Sequence, residues 1–90
     1  MSHISHDKTK LLARVRRLRG QIEAVERAVE AGRDCGTILH LVASIRGSVT
    51  GLTAELIDEH LIHHIRDEPD PEARRAGSDA LAQALRSYMK

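Results

Sequence analysis

Three of the six histidines of this 90-residue chain lie in the segment EHLIHHIRDE, and two of them, His60 and His64, are four residues apart. On a helix that spacing places both imidazoles on one face, one turn apart. Such a pair can bind one transition-metal ion, or it can simply be a solvated, weakly basic face. Cys35 is the only cysteine. Two imidazoles and a thiolate favour nickel, cobalt, zinc or copper over magnesium or calcium.

Cys35 and His60 are 25 residues apart, which is roughly 38 Å along a straight helix. They therefore cannot bind one ion within a single chain. Two antiparallel copies of this helix, crossing near Gly47, would bring the Cys35 end of one beside the His60 end of the other. The spacing predicts a dimer with two sites, each formed by His60 and His64 of one protomer and the partner's Cys35.

His3 is a further candidate ligand, because removal of the initiator Met would leave the amine of Ser2 beside its imidazole. The dipole of a helix beginning near Cys35 would favour the thiolate, although a lone cysteine there is also a common small core residue. Whether His6 or His63 contributes stays open, and His40 is expected to lie outside the site.

The hydrophobic pattern predicts an all-α protomer with two long helices and a short C-terminal one. The first helix is expected to begin near Ser5 or Asp7 and to end near Gly32. Its apolar residues alternate at spacings of four and three, which is an a/d heptad seam. The seam consists of Leu11, Val15, Leu18, Ile22, Val25 and Val29.

The second helix is expected to be capped by Asp34 and to run to about Arg66, a length of roughly 50 Å. A chain of this size cannot cover such a helix alone, so part of it should pack on a second chain. Asp70 and Pro71 are expected to begin the third helix, as its N-cap and its first residue. The apolar face of the second helix contains Ile38, Leu41, Val42, Ile45, Val49, Leu52 and Leu56, and the third helix carries Leu81, Leu85 and Tyr88.

The composition indicates one small domain spanning residues 1–90. With no Trp, no Phe and one Tyr, its core is thin, and a single cysteine offers no disulfide, which favours oligomerisation. The lone thiol indicates a reducing compartment. No apolar run reaches the ~20 residues of a membrane span, and no signal peptide is visible. We expect a cytoplasmic protein without membrane partner or small-molecule substrate, and no catalytic arrangement or cofactor loop indicates an enzyme.

The net charge is only +1, but the basic residues are unevenly placed. Lys10, Arg14 and Arg17 line one flank of the first helix, followed by Gln21, and no acid interrupts them. Such a row can follow a phosphate backbone, although a charged run is often only a solvated face. No helix-turn-helix or zinc-finger pattern is present. The candidate DNA contacts are Lys10, Arg14 and Arg17, together with Arg16 and Arg19, which point away from the row.

The segments ARVRRLRGQIEAVERAVE and DCGTILHLVASIRGSVTGL, the histidine cluster and the closing RSYMK resemble the CsoR/RcnR family of bacterial metal- and aldehyde-responsive repressors. The resemblance covers essentially the whole chain. It implies a homotetramer, a dimer of antiparallel dimers, whose basic helix faces bind double-stranded operator DNA without a helix-turn-helix. Effector binding then releases the DNA and allows transcription of an export or detoxification gene.

Within that family the site residues resemble those of the nickel- and cobalt-sensing, RcnR-like members, whose ligand set is matched by His3, Cys35, His60 and His64. Copper(I) sensors of this family resemble a Cys-His-Cys set of ligands. This chain has His64 rather than cysteine at the third ligand position, which argues against copper(I). Formaldehyde sensors usually carry proline after the initiator Met and an acidic residue where this chain has His64, so Ser2 also departs from their pattern.

We therefore predict a repressor that releases DNA and derepresses a metal efflux gene on binding Ni(II) or Co(II), with Zn(II) as a further candidate. The first alternative is a formaldehyde-responsive repressor in which Cys35 and the N-terminal amine react with the aldehyde. The second is a metal-buffering oligomer without a DNA function.

Overall fold

A computed structural model describes residues 8–90 of the chain. Throughout this range the regular elements are helices: α1 spans Lys8–Glu30, α2 spans Cys35–His60, a π-helix spans Leu61–Arg66, and α3 spans Pro71–Tyr88. We refer to Leu61–Arg66 as the π segment. The all-α prediction, with two long helices and a shorter third one, is confirmed. The predicted start of the first helix at Ser5 or Asp7 lies outside the described residues.

The turn between α1 and α2 is fixed by local chemistry. Gly32 has φ +67°, a conformation that glycine adopts without the steric penalty of a side chain. The amide of Arg33 donates to the carbonyl of Ala28 at 2.9 Å, and the amide of Gly32 donates to that of Val29 at 3.1 Å. This pair of bonds is the Schellman arrangement. The predicted end of the first helix at Gly32 is confirmed to within two residues.

Asp34 caps α2 as predicted. Its carboxylate accepts hydrogen bonds from the Thr37 amide at 3.0 Å and from the Thr37 hydroxyl at 2.7 Å. These bonds satisfy an amide at the first turn that has no partner within the helix. The cap therefore fixes where α2 begins, directly after Asp34 and at Cys35.

The helical run that begins with α2 ends at Arg66, as predicted, but its last six residues are wound as a π-helix. The amide of Asp67 donates to the carbonyl of Ile62 at 2.9 Å, which continues the five-residue hydrogen-bond spacing. Asp70 then caps α3, because its carboxylate accepts from the Ala73 amide at 3.0 Å. Pro71 occupies the first helical position, where its missing amide is tolerated.

The chain divides within α2 into two compact units, whose described residues are 8–53 and 54–90. In the N-terminal unit, the Gln21 amide nitrogen on α1 donates to the Ser44 hydroxyl on α2 at 2.8 Å. In the C-terminal unit, α3 packs against the π segment. Among the described residues, no helix is long and apolar enough to cross a membrane.

Little apolar surface is fully buried within one described chain, where Leu11 and Ala28 form the buried apolar core. The predicted seam of α1 is covered on one side only. Leu18 and Val25 are half-buried, whereas Val15, Ile22 and Val29 are 45%, 53% and 59% exposed. These three exposed residues are seven apart and share one heptad position, which leaves a continuous apolar stripe on α1.

Candidate metal and nucleic-acid sites

The two histidines that the sequence pairs are brought together by the structure. The ring centroids of His60 and His64 are 4.7 Å apart, and the rings are stacked at an interplanar angle of 29°. His60 is the last residue of α2, and His64 lies in the π segment. Both side chains are half-buried. Two imidazoles on successive turns can contribute neighbouring nitrogen donors to one ion.

Gly77 in the middle of α3 contacts this pair through its backbone. Its carbonyl oxygen accepts a hydrogen bond from Nε2 of His60 at 2.7 Å. Gly77 is itself buried. The sequence analysis did not identify this residue, although a lone glycine inside a helical pattern signals a close packing contact.

His63 lies beside the pair but faces a different group. Its Nε2 is 3.5 Å from a carboxylate oxygen of Glu59. Glu59 is only 7% exposed, which is unusual for a carboxylate. The structure therefore gives His63 a partner four residues earlier, in the last turn of α2. His40 is exposed on α2, in the N-terminal unit.

Cys35 is the first residue of α2 and is an exposed, free thiol. The preceding residue, Asp34, is held by Thr37, whose hydroxyl and backbone amide donate to the carboxylate and lower its pKa below the ordinary value. The carboxylate is thus retained at the positive end of the α2 dipole. His3 and His6 lie outside the described residues.

The donor chemistry of the histidine pair fits a borderline transition metal. The stacked imidazoles, one at the end of α2 and one in the π segment, provide two nitrogen donors. The hydrogen bond from His60 to a carbonyl is the type of contact that orients metal-binding histidines. Within residues 8–90 of one chain, no group of three or more His, Cys, Asp or Glu side chains is arranged to hold a metal ion. Of the predicted ligands, the described structure brings together His60 and His64.

The predicted basic row lines a groove of about 560 Å³ between α1 and α2 in the N-terminal unit. Lys10, Arg14 and Arg17 contribute its α1 wall, and small residues of α2 form the other: Ser44, Gly47 and Ser48. All three basic side chains are exposed. Arg16 and Arg19 are also exposed on α1 but do not line this groove.

Arg14 lies directly against the α2 backbone. Its Nη1 is 2.7 Å from the position that a Cβ would occupy at Gly51. The glycine therefore gives the guanidinium room to lie against α2. This cationic, open surface is suited to phosphate oxygens, because guanidinium groups match phosphate geometry.

The chain is similar over its whole length to proteins of known family. The model of the protein family described as "Metal-sensitive transcriptional repressor" matches residues 7–88. The chain belongs to this family. It is 38% identical to the transcriptional repressor RcnR of Salmonella paratyphi B, over all of both chains. It is also 45% identical, again over all of both chains, to a Serratia marcescens protein described as an uncharacterized protein in the bioA 5′ region.

A solved structure shares the fold. This is a glutamate-to-histidine variant of the formaldehyde-responsive regulator FrmR from Salmonella enterica serovar Typhimurium, at a TM-score of 0.84 and 42% identity, covering 92% of this chain and 94% of that one. The CsoR/RcnR resemblance is confirmed. The chain is a transcriptional repressor rather than an enzyme, and the family implies operator DNA binding, oligomerisation and a metal effector.

Proposed function

We propose that this repressor binds operator DNA when metal-free and releases it on binding Ni(II) or Co(II), which derepresses a metal efflux gene. The observation that carries the proposal is the stacked His60–His64 pair, with ring centroids 4.7 Å apart where α2 meets the π segment. Imidazole donors suit nickel, cobalt and zinc. The similarity to RcnR supports the same assignment.

The proposed ligand set is His60 and His64 of one protomer, the partner's Cys35, and His3. Cys35 begins α2 and His60 ends it, so an antiparallel arrangement of two α2 helices would bring the thiol and the imidazoles to the same end. The exposed apolar stripe of α1 supports association between chains in general, because exposed apolar surface of this extent needs a partner surface. Two such dimers would form the tetramer.

DNA binding is assigned to the groove residues Lys10, Arg14 and Arg17, with Arg16 and Arg19 as flanking cations on α1. Their positive charges would contact phosphates rather than base edges. They form one row, and the sequence has no helix-turn-helix or zinc-finger pattern that would place a helix in the major groove. This assignment predicts steeply salt-dependent binding. It also places DNA binding on α1, the helix that follows His3 in the chain.

A formaldehyde response is the alternative, favoured by the exposed Cys35 thiol at the start of α2 and by the structural similarity to FrmR. The Cys35 thiolate would add to the aldehyde carbonyl, giving a hydroxymethyl thioether after protonation. The N-terminal amine would then displace water to form an S–CH2–N bridge. His64 argues against this alternative, because formaldehyde sensors of the family usually carry an acidic residue at this position.

The test is a DNA-release titration of one protein preparation with Ni(II), Co(II), Zn(II), Cu(I) and formaldehyde, followed by fluorescence anisotropy of labelled operator DNA. We expect Ni(II) or Co(II) to release the operator at the lowest free concentration. A matched His64→Glu variant should lose this metal response. Release by formaldehyde alone, with a mass increase of one bridging carbon, would replace the proposal with the alternative.

A further inference from the structure

Gly77 stands apart from the other five glycines of the chain. A Cβ at Gly77 would lie 2.5 Å from the carbonyl oxygen of His64, 3.0 Å from its Cβ and 3.2 Å from its carbonyl carbon. At Gly51 the crowding atom is the tip of a flexible arginine, which can move aside. At Gly77 the crowding atoms are mainly backbone, so α3 approaches the π segment at a distance that only glycine permits.

The same residue also determines the orientation of His60. A carbonyl oxygen can only accept a hydrogen bond, so the 2.7 Å contact requires a proton on Nε2 of His60. In the neutral imidazole the lone pair is then on Nδ1. Gly77 therefore acts on both histidines of the pair, on one through its carbonyl and on the other through its missing side chain.

We propose that Gly77 is a positioning residue of the metal site, an inference that rests on the proposed metal response. Its carbonyl holds His60 in the tautomer that presents Nδ1 as the donor. Its lack of a side chain keeps α3 against the backbone of His64, so that the two rings stay stacked. The third helix thus shapes the site although it contributes none of the proposed ligands.

The first test replaces Gly77 with alanine. The added methyl group would have to push α3 away from the His64 backbone, which lengthens or breaks the His60 hydrogen bond. We expect Co(II) affinity to fall by ~10- to 100-fold, the usual effect of losing such an outer contact, and the visible d–d absorption of bound Co(II) to change. Metal-free operator affinity should be unchanged, because the basic groove lies in the other unit.

Ser78→Ala is the matched control. Ser78 is the next residue of α3 and is exposed, so its truncation to alanine should leave Co(II) affinity, the Co(II) spectrum and operator affinity unchanged. If Gly77→Ala binds Co(II) with wild-type affinity and a wild-type spectrum, Gly77 does not position the site.

The second test uses the unmodified chain and so does not depend on the folding of a variant. Long-range ¹H–¹⁵N spectra of the imidazoles, recorded on the metal-free protein at alkaline pH, should show His60 with its proton on Nε2. Addition of diamagnetic Zn(II) should then perturb Nδ1. A proton on Nδ1 of His60, or zinc bound at Nε2, overturns the role of Gly77.

These outcomes separate this inference from the proposed function. If Ni(II) or Co(II) releases the operator and His60 is the Nδ1–H tautomer, only the role of Gly77 fails. If the wild-type chain binds none of Ni(II), Co(II) and Zn(II), the proposed function fails together with the inference.

Discussion

Arg14 illustrates how single residues define the proposed DNA-binding surface. Its guanidinium lies along α2 because Gly51 leaves space there, whereas Lys10 and Arg17 line the same groove on either side. Sequence reasoning placed these three residues on one flank of α1. It did not place Arg14 against Gly51, because helical periodicity describes one helix and not the surface that it faces.

Replacing Arg14 with alanine should weaken binding to every DNA sequence and flatten the salt dependence. Each lost phosphate contact changes the slope of log affinity against log salt concentration by roughly 0.9. The measurement is operator and non-operator affinity across a salt series. Arg27→Ala is a suitable control, because Arg27 is an exposed arginine in the last turn of the same helix and does not line the groove. Equal slopes for wild type and Arg14→Ala would show that the row is only a solvated face.

At the scale of elements, the helix ends were predictable and the π segment was not. Gly32, Asp34 and the Asp70–Pro71 pair are local signals, and each acts within a few residues through the backbone. The π segment is different, because its winding accompanies the packing of α3 on it. The 3.6-residue apolar pattern contains no information about that contact.

The same distinction applies to the candidate site. The four-residue spacing predicted that His60 and His64 share a face, and their stacking agrees with that. The sequence did not indicate Gly77, because its contact with His60 joins residues that are distant in the chain. It did not indicate Glu59 either, because the pattern of one helix does not show that this carboxylate is buried. The cross-chain role of Cys35 stays a prediction.

Loss of the α3 cap should destabilise the C-terminal unit. Asp70→Ala removes the carboxylate that accepts from the Ala73 amide, and such losses cost about 1 kcal/mol of folding free energy. Asp70→Ser, which keeps a capping oxygen, is the matched control. Both are compared with wild type by urea unfolding at one fixed protein concentration. Equal stability of the alanine and serine variants would mean that the side-chain cap does not stabilise α3.

At the scale of the whole molecule, the α1 seam reveals the need for partners. All six seam residues were predicted to share one apolar face, but one chain covers only the side that contains Leu11, Leu18 and Val25. The other heptad position remains exposed. The heptad pattern predicts which face of α1 the residues of both heptad positions lie on. It does not predict how many chains are needed to cover that face, because that number depends on the assembly.

Mixed oligomers test whether the metal site spans two chains. A Cys35→Ala chain and a His60→Ala chain, carrying different affinity tags, should each bind Co(II) weakly alone. Their antiparallel hybrid would contain one intact site and one site that lacks both ligands, so one tight Co(II) per hybrid dimer is expected by titration.

The control for this experiment pairs the Cys35→Ala chain with a chain carrying both substitutions. That hybrid contains no intact site under the cross-chain arrangement. Failure of the first hybrid to recover any tight Co(II) binding would rule out sharing of the thiol and the imidazoles between protomers.

His3 should separate metal affinity from the DNA response. It precedes α1, the helix proposed to bind DNA, by a few residues, so ligation by His3 would tether α1 to the rest of the site. His3→Ala should keep much of the metal affinity and lose most of the metal-driven DNA release, whereas Cys35→Ala should lose both. By linkage, operator DNA should weaken metal binding by the same factor as metal weakens DNA binding, a coupling of ~1–3 kcal/mol.

The measurement is metal affinity with and without operator, and operator affinity with and without Ni(II) or Co(II), for wild type and both variants. Full metal-driven release by His3→Ala would mean that the signal reaches the DNA through the core helices.

Because of the exposed apolar stripe of α1, the fraction of functional repressor should depend on the concentration of the repressor itself. Chains that complete their core only by associating are stabilised by mass action, so their folded fraction rises with their own concentration. Newly made or diluted chains at low concentration would remain partly open, and open chains are the substrates of cellular proteases. If growth without new synthesis dilutes the repressor to half its concentration, the amount of functional repressor per unit volume should therefore fall by more than half. Silencing of the target gene would then depend on copy number more steeply than DNA affinity alone implies.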